Sequence, residues 1–96
     1  MKQVHISFQI IPAKENALES YEIVDKVIGL IQESGIRHIT GPMETTLEGD
    51  YDEIMKVVKQ CHELCLLHAD KLISIIKIHA KKEHDVTFEE KKINPE

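Results

Sequence analysis

The residues that could do chemistry are concentrated near the middle of the chain, in Gly41-Pro42-Met43-Glu44-Thr45-Thr46-Leu47-Glu48-Gly49. Glycine at each end supplies backbone freedom, and the proline fixes its own φ angle and removes a backbone donor. Between these bends lies a short β-prone run that carries two carboxylates and two hydroxyls. A loop that only reversed the chain would need none of these polar groups. We therefore expect this segment to form the working surface of the protein.

Alternating and helical apolar patterns on both sides of this segment predict the order β-α-β-β-α-β. The expected elements are a strand ending at Pro12, a helix ending at Ser34-Gly35, strands over 36–40 and 45–48, a helix capped near Asp50, and a strand over 72–78. Asn16 followed three residues later by Glu19 fits a capping box at the start of the first helix. The apolar stripes of the two helices are expected at Val24, Val27, Ile28 and Ile31, and at Ile54, Val57, Val58, Cys61, Cys65 and His68.

This order predicts an α+β domain of the ferredoxin-like βαββαβ type. Two right-handed β-α-β crossovers give a four-stranded antiparallel sheet with both helices on one face. We expect residues 1–80 to form this single domain. The charged segment 81–96 is expected to be a tail, mobile beyond about Asp85 or packed on a neighbouring subunit.

The alternation also predicts which side chains share a face of the sheet. Val4, Ile6, Phe8 and Ile10 must face the helices, which leaves the alternate positions of the first strand on the uncovered face. Because the first and third strands are neighbours in this topology, Ser7, Gln9, Thr46 and Glu48 are expected to cluster there. An ordinary solvated sheet face is the alternative interpretation.

The composition of the fourth strand favours a partner subunit. It carries isoleucines on both faces, including Ile73 and Ile75, so we expect it to be central or to have its second face covered. A second copy of the chain would cover this face. This predicts a homo-dimer or homo-tetramer, with a small-molecule cleft between the sheets as a hypothesis.

Composition narrows the function classes. The chain has 96 residues, is 42% apolar and 30% charged, and carries a formal net charge of −5. An acidic chain with few aromatic residues is a poor candidate for binding nucleic acid or an anionic membrane. No apolar run approaches the roughly 20 residues that span a bilayer. We expect a cytoplasmic protein whose two cysteines stay reduced.

Two competing chemistries are weaker. Cys61, His62, Cys65 and His68 fall within eight residues, which could suggest a metal site, but three of them continue the apolar stripe and should point into the core. For catalysis, the chain has no nucleophile elbow or phosphate loop. Glu44 and Glu48 would lie about 13 Å apart along an extended strand, too far for most two-carboxylate mechanisms. We therefore expect a binding protein with no metal, no resident cofactor and no enzymatic activity.

The residues also resemble a known family, the YkoF-like small thiamine-binding proteins. The resemblance covers roughly residues 3–80 and rests on Ser7-Phe8-Gln9-Ile10-Ile11-Pro12, Glu33-Ser34-Gly35, the central Gly41–Gly49 segment, Asp52-Glu53-Ile54, His62-Glu63 and Ile76-Lys77-Ile78. Its most specific part is the Pro-Met-x-Thr-x-x-Glu-Gly core. Where many relatives have Gly-Thr after the first-strand proline, this chain has Ala13-Lys14, and Glu44 replaces a glycine after Pro-Met.

The resemblance implies a ferredoxin-like oligomer that binds thiamine or its hydroxymethylpyrimidine moiety without performing chemistry. The alternative is an oligomeric regulatory or assembly module that has no thiamine ligand. An aminopyrimidine places a donor amine next to ring nitrogens, which a carboxylate and a hydroxyl or amide could pair. The thiazolium ring is cationic, which would favour an acidic pocket. The candidate ligand-binding residues are Glu48 first, then Ser7, Gln9, His38, Pro42, Met43, Thr45 and Thr46.

Overall fold

The computed structural model describes residues 1–13 and 17–95 and has the predicted order of elements. These are β1 (Val4–Pro12), α1 (Ala17–Glu33), β2 (Arg37–Thr40), β3 (Thr45–Gly49), α2 (Tyr51–His68) and β4 (Leu72–His79). The strands form one antiparallel sheet in the order β2-β3-β1-β4, and both helices pack on it. The predicted ferredoxin-like fold is confirmed. The predicted capping box at Asn16 lies outside the described residues.

The core lies between the helices and one face of the sheet, as the alternation predicts. On β1, Val4 and Ile6 are fully buried and Phe8 nearly so, and Leu47 of β3 lies beside Ile6. The helices contribute the buried residues Ile23, Val27, Ile31, Ile54, Val57, Val58, Cys61 and Cys65. The side chain of His68, predicted to continue the second stripe, is instead exposed, because the last turn of α2 lies at the surface beside the charged residues Glu19, Glu22 and Lys26 of α1.

The turn between β2 and β3 explains the glycine at position 41. The Gly41 N–H donates to the carbonyl of Glu44 at 2.9 Å, which leaves Pro42 and Met43 at the tip. A Cβ added at position 41 would lie 2.9 Å from that same oxygen, closer than such atoms approach in real structures. A side chain here would therefore open the turn.

Helix α2 starts where the sequence predicts. Asp50 has an extended backbone and its carboxylate accepts from the Glu53 N–H at 3.1 Å. Asp52 and Glu53 place negative charge in the first turn, where it interacts favourably with the helix dipole.

Strand β4 lies at an edge of the sheet rather than at its centre. Its register against β1 places Ile73 opposite Ile11 and Ile75 opposite Gln9 on the face away from the helices. Ile73 and Ile75 are 64% and 50% exposed. Of the two expected arrangements, a central strand is not observed, and the covering of this face by a partner stays a prediction.

The segment after β4 packs on the chain's own sheet. The Val86 N–H donates to the Gln3 carbonyl at 3.0 Å, and the Gln3 side-chain amide donates back to the Val86 carbonyl at 2.9 Å. Val86 and Phe88 are 0% and 1% exposed, and the Phe88 ring lies 4.4 Å from that of His5. This placement differs from the expected mobile tail: two apolar residues anchor the segment on the face opposite the helices. We call residues 85–93 the return segment.

Neither described helix is long and apolar enough to cross a membrane.

Removing the anchor of the return segment should destabilise the whole domain. Phe88→Ala is expected to lower the free energy of unfolding by about 3–5 kcal/mol, because it deletes a fully buried aromatic side chain. Tyr21→Ala, at a position that is 68% exposed, is the matched control and should change stability by about 0.5 kcal/mol or less. Urea denaturation followed by circular dichroism measures both. Equal stabilities of the two variants would show that the return segment does not pack in solution.

Candidate functional site

The face of the sheet away from the helices carries a hollow that the return segment partly encloses. We call it the open-face hollow. Its volume is about 320 Å³, which is at the lower end of the roughly 300–1,000 Å³ typical of small-molecule pockets. Residues from β1, β2, β3, β4 and the return segment line it: His5, Ser7, Ile39, Thr46, Lys77, Ile78, His79, Phe88, Lys91 and Ile93.

Two hydroxyls meet in this hollow. Ser7 and Thr46 face each other in the β1–β3 register, and their side-chain oxygens are 2.6 Å apart. Each hydroxyl can donate one hydrogen bond and accept others, so the pair keeps hydrogen-bonding capacity for a ligand. The predicted approach of Ser7 and Thr46 on the uncovered face is therefore observed.

Glu48 lies beneath one end of the hollow and is almost fully buried. A buried carboxylate is costly unless hydrogen-bond donors surround it. One oxygen, Oε1, accepts from His5 Nε2 at 3.0 Å and from the Phe88 N–H at 2.7 Å. The other, Oε2, accepts from the Arg37 guanidinium at 2.6 Å. Three donors from β1, β2 and the return segment thus satisfy this carboxylate within the chain.

His5 is held in one neutral form by its two neighbours. The Lys91 ammonium donates to His5 Nδ1 at 2.8 Å, so the proton of the ring is on Nε2, which points at Glu48. Burial of the ring lowers the pKa of His5 below its ordinary 6.5; Lys91 lowers it further, whereas the hydrogen bond to Glu48 opposes the shift. Neutral His5 links Lys91 to the buried carboxylate.

A second, smaller cleft lies on the helix side of the sheet. This α1 cleft has a volume of about 110 Å³ and lies between α1 and the turn that joins β2 to β3. Its lining is mainly apolar: Phe8, Gln9, Ile10, Val24, Val27, Ile28, Ile31, Thr40, Gly41, Pro42, Met43, Glu44 and Thr45.

The structure therefore separates the predicted ligand-binding residues. The open-face hollow has Ser7 and Thr46, with Glu48 behind His5. The α1 cleft has Pro42, Met43 and Thr45. Gln9 also borders this cleft, although its register opposite Ile75 puts it among the residues of the open face. His38 lines neither space; it is buried, pairs with Leu47 on the helix side and bonds the Ile36 carbonyl through Nδ1 at 2.8 Å. The expected cluster of Ser7, Gln9, Thr46 and Glu48 is brought together only in part.

Several residues in the hollow or bonded to Glu48 were not among the candidates. His5 could have been found, since alternation places it on the open face and antiparallel pairing places it opposite Glu48. Arg37 is likewise opposite Glu48 on the other side. Phe88, Lys91 and Ile93 had no comparable signal, because their position depends on how the return segment packs.

The thiols are poor candidates for chemistry. Cys61 and Cys65 are fully buried in the core, and burial raises the pKa of both, that of Cys61 to about 12. Within residues 1–13 and 17–95, no group of three or more histidine, cysteine, aspartate or glutamate side chains is arranged to hold a metal ion.

The lowered pKa of His5 predicts a specific pH dependence of folding. His5 is neutral in the folded protein, whereas in the unfolded chain it binds a proton once the pH falls below 6.5, the pKa expected for an unfolded histidine. Because the unfolded state then binds more protons, the free energy of unfolding decreases as the pH falls. The contribution of His5 to the free energy of unfolding should be constant above about pH 7.5. It should decrease as the pH is lowered from there to the pKa of His5 in the folded protein. Urea midpoints at pH 8, 7, 6 and 5 measure it, and His5→Gln should flatten the acid limb relative to wild type. Parallel acid limbs in the two proteins would rule out this linkage.

Comparison with known proteins identifies relatives over nearly the whole chain. A UPF0045 protein of Clostridium perfringens is 44% identical over 92 residues, which are 95% of both chains. A UPF0045 protein of Methanocaldococcus jannaschii is 35% identical over 95% of this chain and 90% of its own.

Several solved structures share both the fold and part of the sequence of this chain. A domain of unknown function from Bacillus cereus is 42% identical and superposes with a TM-score of 0.86, over 94% of this chain and 86% of its own. A Thermotoga maritima protein with a proposed role in thiamine biosynthesis or salvage is 31% identical, with a TM-score of 0.83 over 93% and 94% of the two chains. The family model described as thiamine-binding protein matches residues 6–94. The chain therefore belongs to the thiamine-binding protein family.

Proposed function

We propose that this chain binds thiamine or its hydroxymethylpyrimidine moiety in the open-face hollow and performs no chemistry on it. The observation that carries the proposal is the Ser7–Thr46 hydroxyl pair inside a hollow of about 320 Å³. Membership of the thiamine-binding family supports the ligand class. The proposed thiamine role of the Thermotoga maritima relative points the same way.

The groups around the hollow suit a flat, polar aromatic ring. The two hydroxyls can accept from a ring amine and donate to a ring nitrogen. Ile39 and Ile93 supply apolar contacts for the faces of the ring. Small-molecule sites usually combine apolar contacts with polar groups that fix the orientation of the ligand.

In this proposal Glu48 has a structural role, and not the direct ligand contact that the sequence analysis predicts for it. Since three donors within the chain already satisfy its carboxylate, we assign it to holding His5 and the return segment in place. Ser7 and Thr46 then make the direct ligand contacts. Pro42, Met43 and Thr45 belong to the alternative location, the α1 cleft, which has about one third of the volume of the hollow.

Binding without catalysis is supported by the state of the nucleophiles. Both thiols are buried and protonated at neutral pH because burial raises their pKa values. His5 donates to a carboxylate and accepts from an ammonium, so both ring nitrogens are already engaged.

We further propose that the working form is a homo-oligomer. Ile11, Ile73 and Ile75 form an exposed apolar strip at the β4 edge, on the same face as the hollow. A second copy of this chain would remove this strip from water.

Two adjacent threonines give a matched test of ligand and location. Thr46 faces the open-face hollow, whereas Thr45 faces the α1 cleft. Thiamine or hydroxymethylpyrimidine at about 100 times its dissociation constant should stabilise the wild type by about 2.7 kcal/mol, on the order of 10 °C in the melting temperature. Thr46→Val should lower affinity about tenfold and roughly halve that stabilisation, whereas Thr45→Val should leave it unchanged.

The outcomes of this test separate the alternatives. A shift that weakens in Thr45→Val but not in Thr46→Val would move the site to the α1 cleft. If none of the thiamine-related compounds shifts the melting temperature, the binding proposal falls and a ligand-free regulatory or assembly module takes its place. Protein concentration must be fixed, because the stability of an oligomer depends on it.

The oligomer predicts a charge-sensitive interface. Ile75→Lys should raise the dissociation constant for self-association at least tenfold, since it buries a lysine without a partner in the interface. Leu67→Lys is the control, because Leu67 is even more exposed, at 78%, but lies on α2 on the other side of the sheet. Sedimentation equilibrium at micromolar concentration measures both. A wild-type monomer under these conditions would overturn the proposed oligomer.

A further inference from the structure

The charges that line the open-face hollow have the opposite sign to the chain as a whole. The chain has a formal net charge of −5, yet the described residues that line the hollow include two lysines and no carboxylate. The lysines are Lys77 on β4 and Lys91 in the return segment.

Two described carboxylates near the hollow are already paired. Glu48 is buried and accepts from three donors within the chain. Glu44, at the turn, pairs with Lys77 at 2.8 Å. Neither is placed to balance the positive charge of a thiazolium ring in the hollow.

Lys91 differs from Lys77 because its contact is neutral. Its ammonium lies 2.8 Å from Nδ1 of His5, an imidazole that carries no charge. An ammonium has three donors, and its full positive charge remains to attract an anion. The hollow thus combines a neutral hydrogen-bonding pair, Ser7 and Thr46, with a positive wall on the side of Lys91.

We infer that the hollow selects a phosphate monoester, the phosphorylated form of hydroxymethylpyrimidine or of thiamine, over the unphosphorylated compound. This rests on the proposed function and specifies its ligand class. Lys91 meets the phosphate and the hydroxyl pair meets the ring, whereas the charge of Lys77 is offset by Glu44. Charge-assisted hydrogen bonds to phosphate are stronger than neutral ones, which gives the phosphate the larger share of the affinity.

Isothermal titration calorimetry with four ligands tests this inference: thiamine, thiamine monophosphate, hydroxymethylpyrimidine and its phosphate. The expected result is binding on the order of tenfold tighter for at least one phosphate ester than for its parent alcohol, weakening as salt increases. Comparing the thiamine pair with the pyrimidine pair shows which phosphate ester is preferred. Equal or weaker binding of both esters, with the parent compounds still bound, would overturn the inference and leave the proposed function standing.

Three variants locate the preference. Lys91→Met should abolish the preference because it lowers affinity for the phosphate ester more than for the unphosphorylated compound, and Lys91→Arg should restore it. Lys59→Met makes the same change of charge on the exposed side of α2 and should keep the preference. A preference that survives in Lys91→Met, in a variant whose ligand-free melting temperature shows that it is folded, would overturn the assignment. If none of the four ligands binds the wild type, the proposed function fails as well. The titrations with thiamine and hydroxymethylpyrimidine distinguish this case from a failure of the phosphate preference alone.

Discussion

The burial of one carboxylate constrains much of this structure. The side chain of Glu48 is 1% exposed, and a carboxylate in that position must be surrounded by donors or forfeit several kcal/mol. Its three donors come from separate parts of the chain: His5 on β1, Arg37 on β2 and the backbone N–H of Phe88. The first two are fixed by strand register. The third, the Phe88 N–H, holds the return segment in place. One wall of the hollow therefore depends on the charge of Glu48, which does not itself line the hollow.

This arrangement changes what the glutamate can do for a ligand. A carboxylate facing an open pocket would attract a cation, whereas one that accepts from a guanidinium, an imidazole and an amide has its charge balanced inside the protein. The polar groups that line the hollow without a carboxylate partner include the hydroxyls of Ser7 and Thr46 and the ammonium of Lys91. The electrostatic character of the site is therefore set by which acidic residues are already paired, and not by the net charge of the chain.

The parts of the structure that could be predicted from the sequence are those in which apolar residues recur at the regular spacing of a strand or a helix. Alternation on β1 separated Val4 and Ile6 from His5 and Ser7, and pairing of β1 with β3 brought Ser7 to Thr46. The return segment has no such period. It is mostly charged, and its packing depends on contacts with residues more than 80 positions away, such as Gln3. The exposure of His68 was missed for a related reason: periodicity predicts the direction of a helix face, but not where the neighbouring element ends.

The turn at Pro42 and Met43 shows why a contiguous motif need not form a single site. Successive strand residues point to opposite faces, so Thr45 reaches the α1 cleft and Thr46 the open-face hollow. The hollow shares its face with the apolar strip at the β4 edge, and Ile75 is two residues from Lys77 on the same face. If a second copy covers Ile75, it lies next to the positive wall of the hollow. Ligand binding and self-association would then act on adjoining parts of one surface, and by linkage the effect of the ligand on self-association would equal the effect of self-association on ligand affinity.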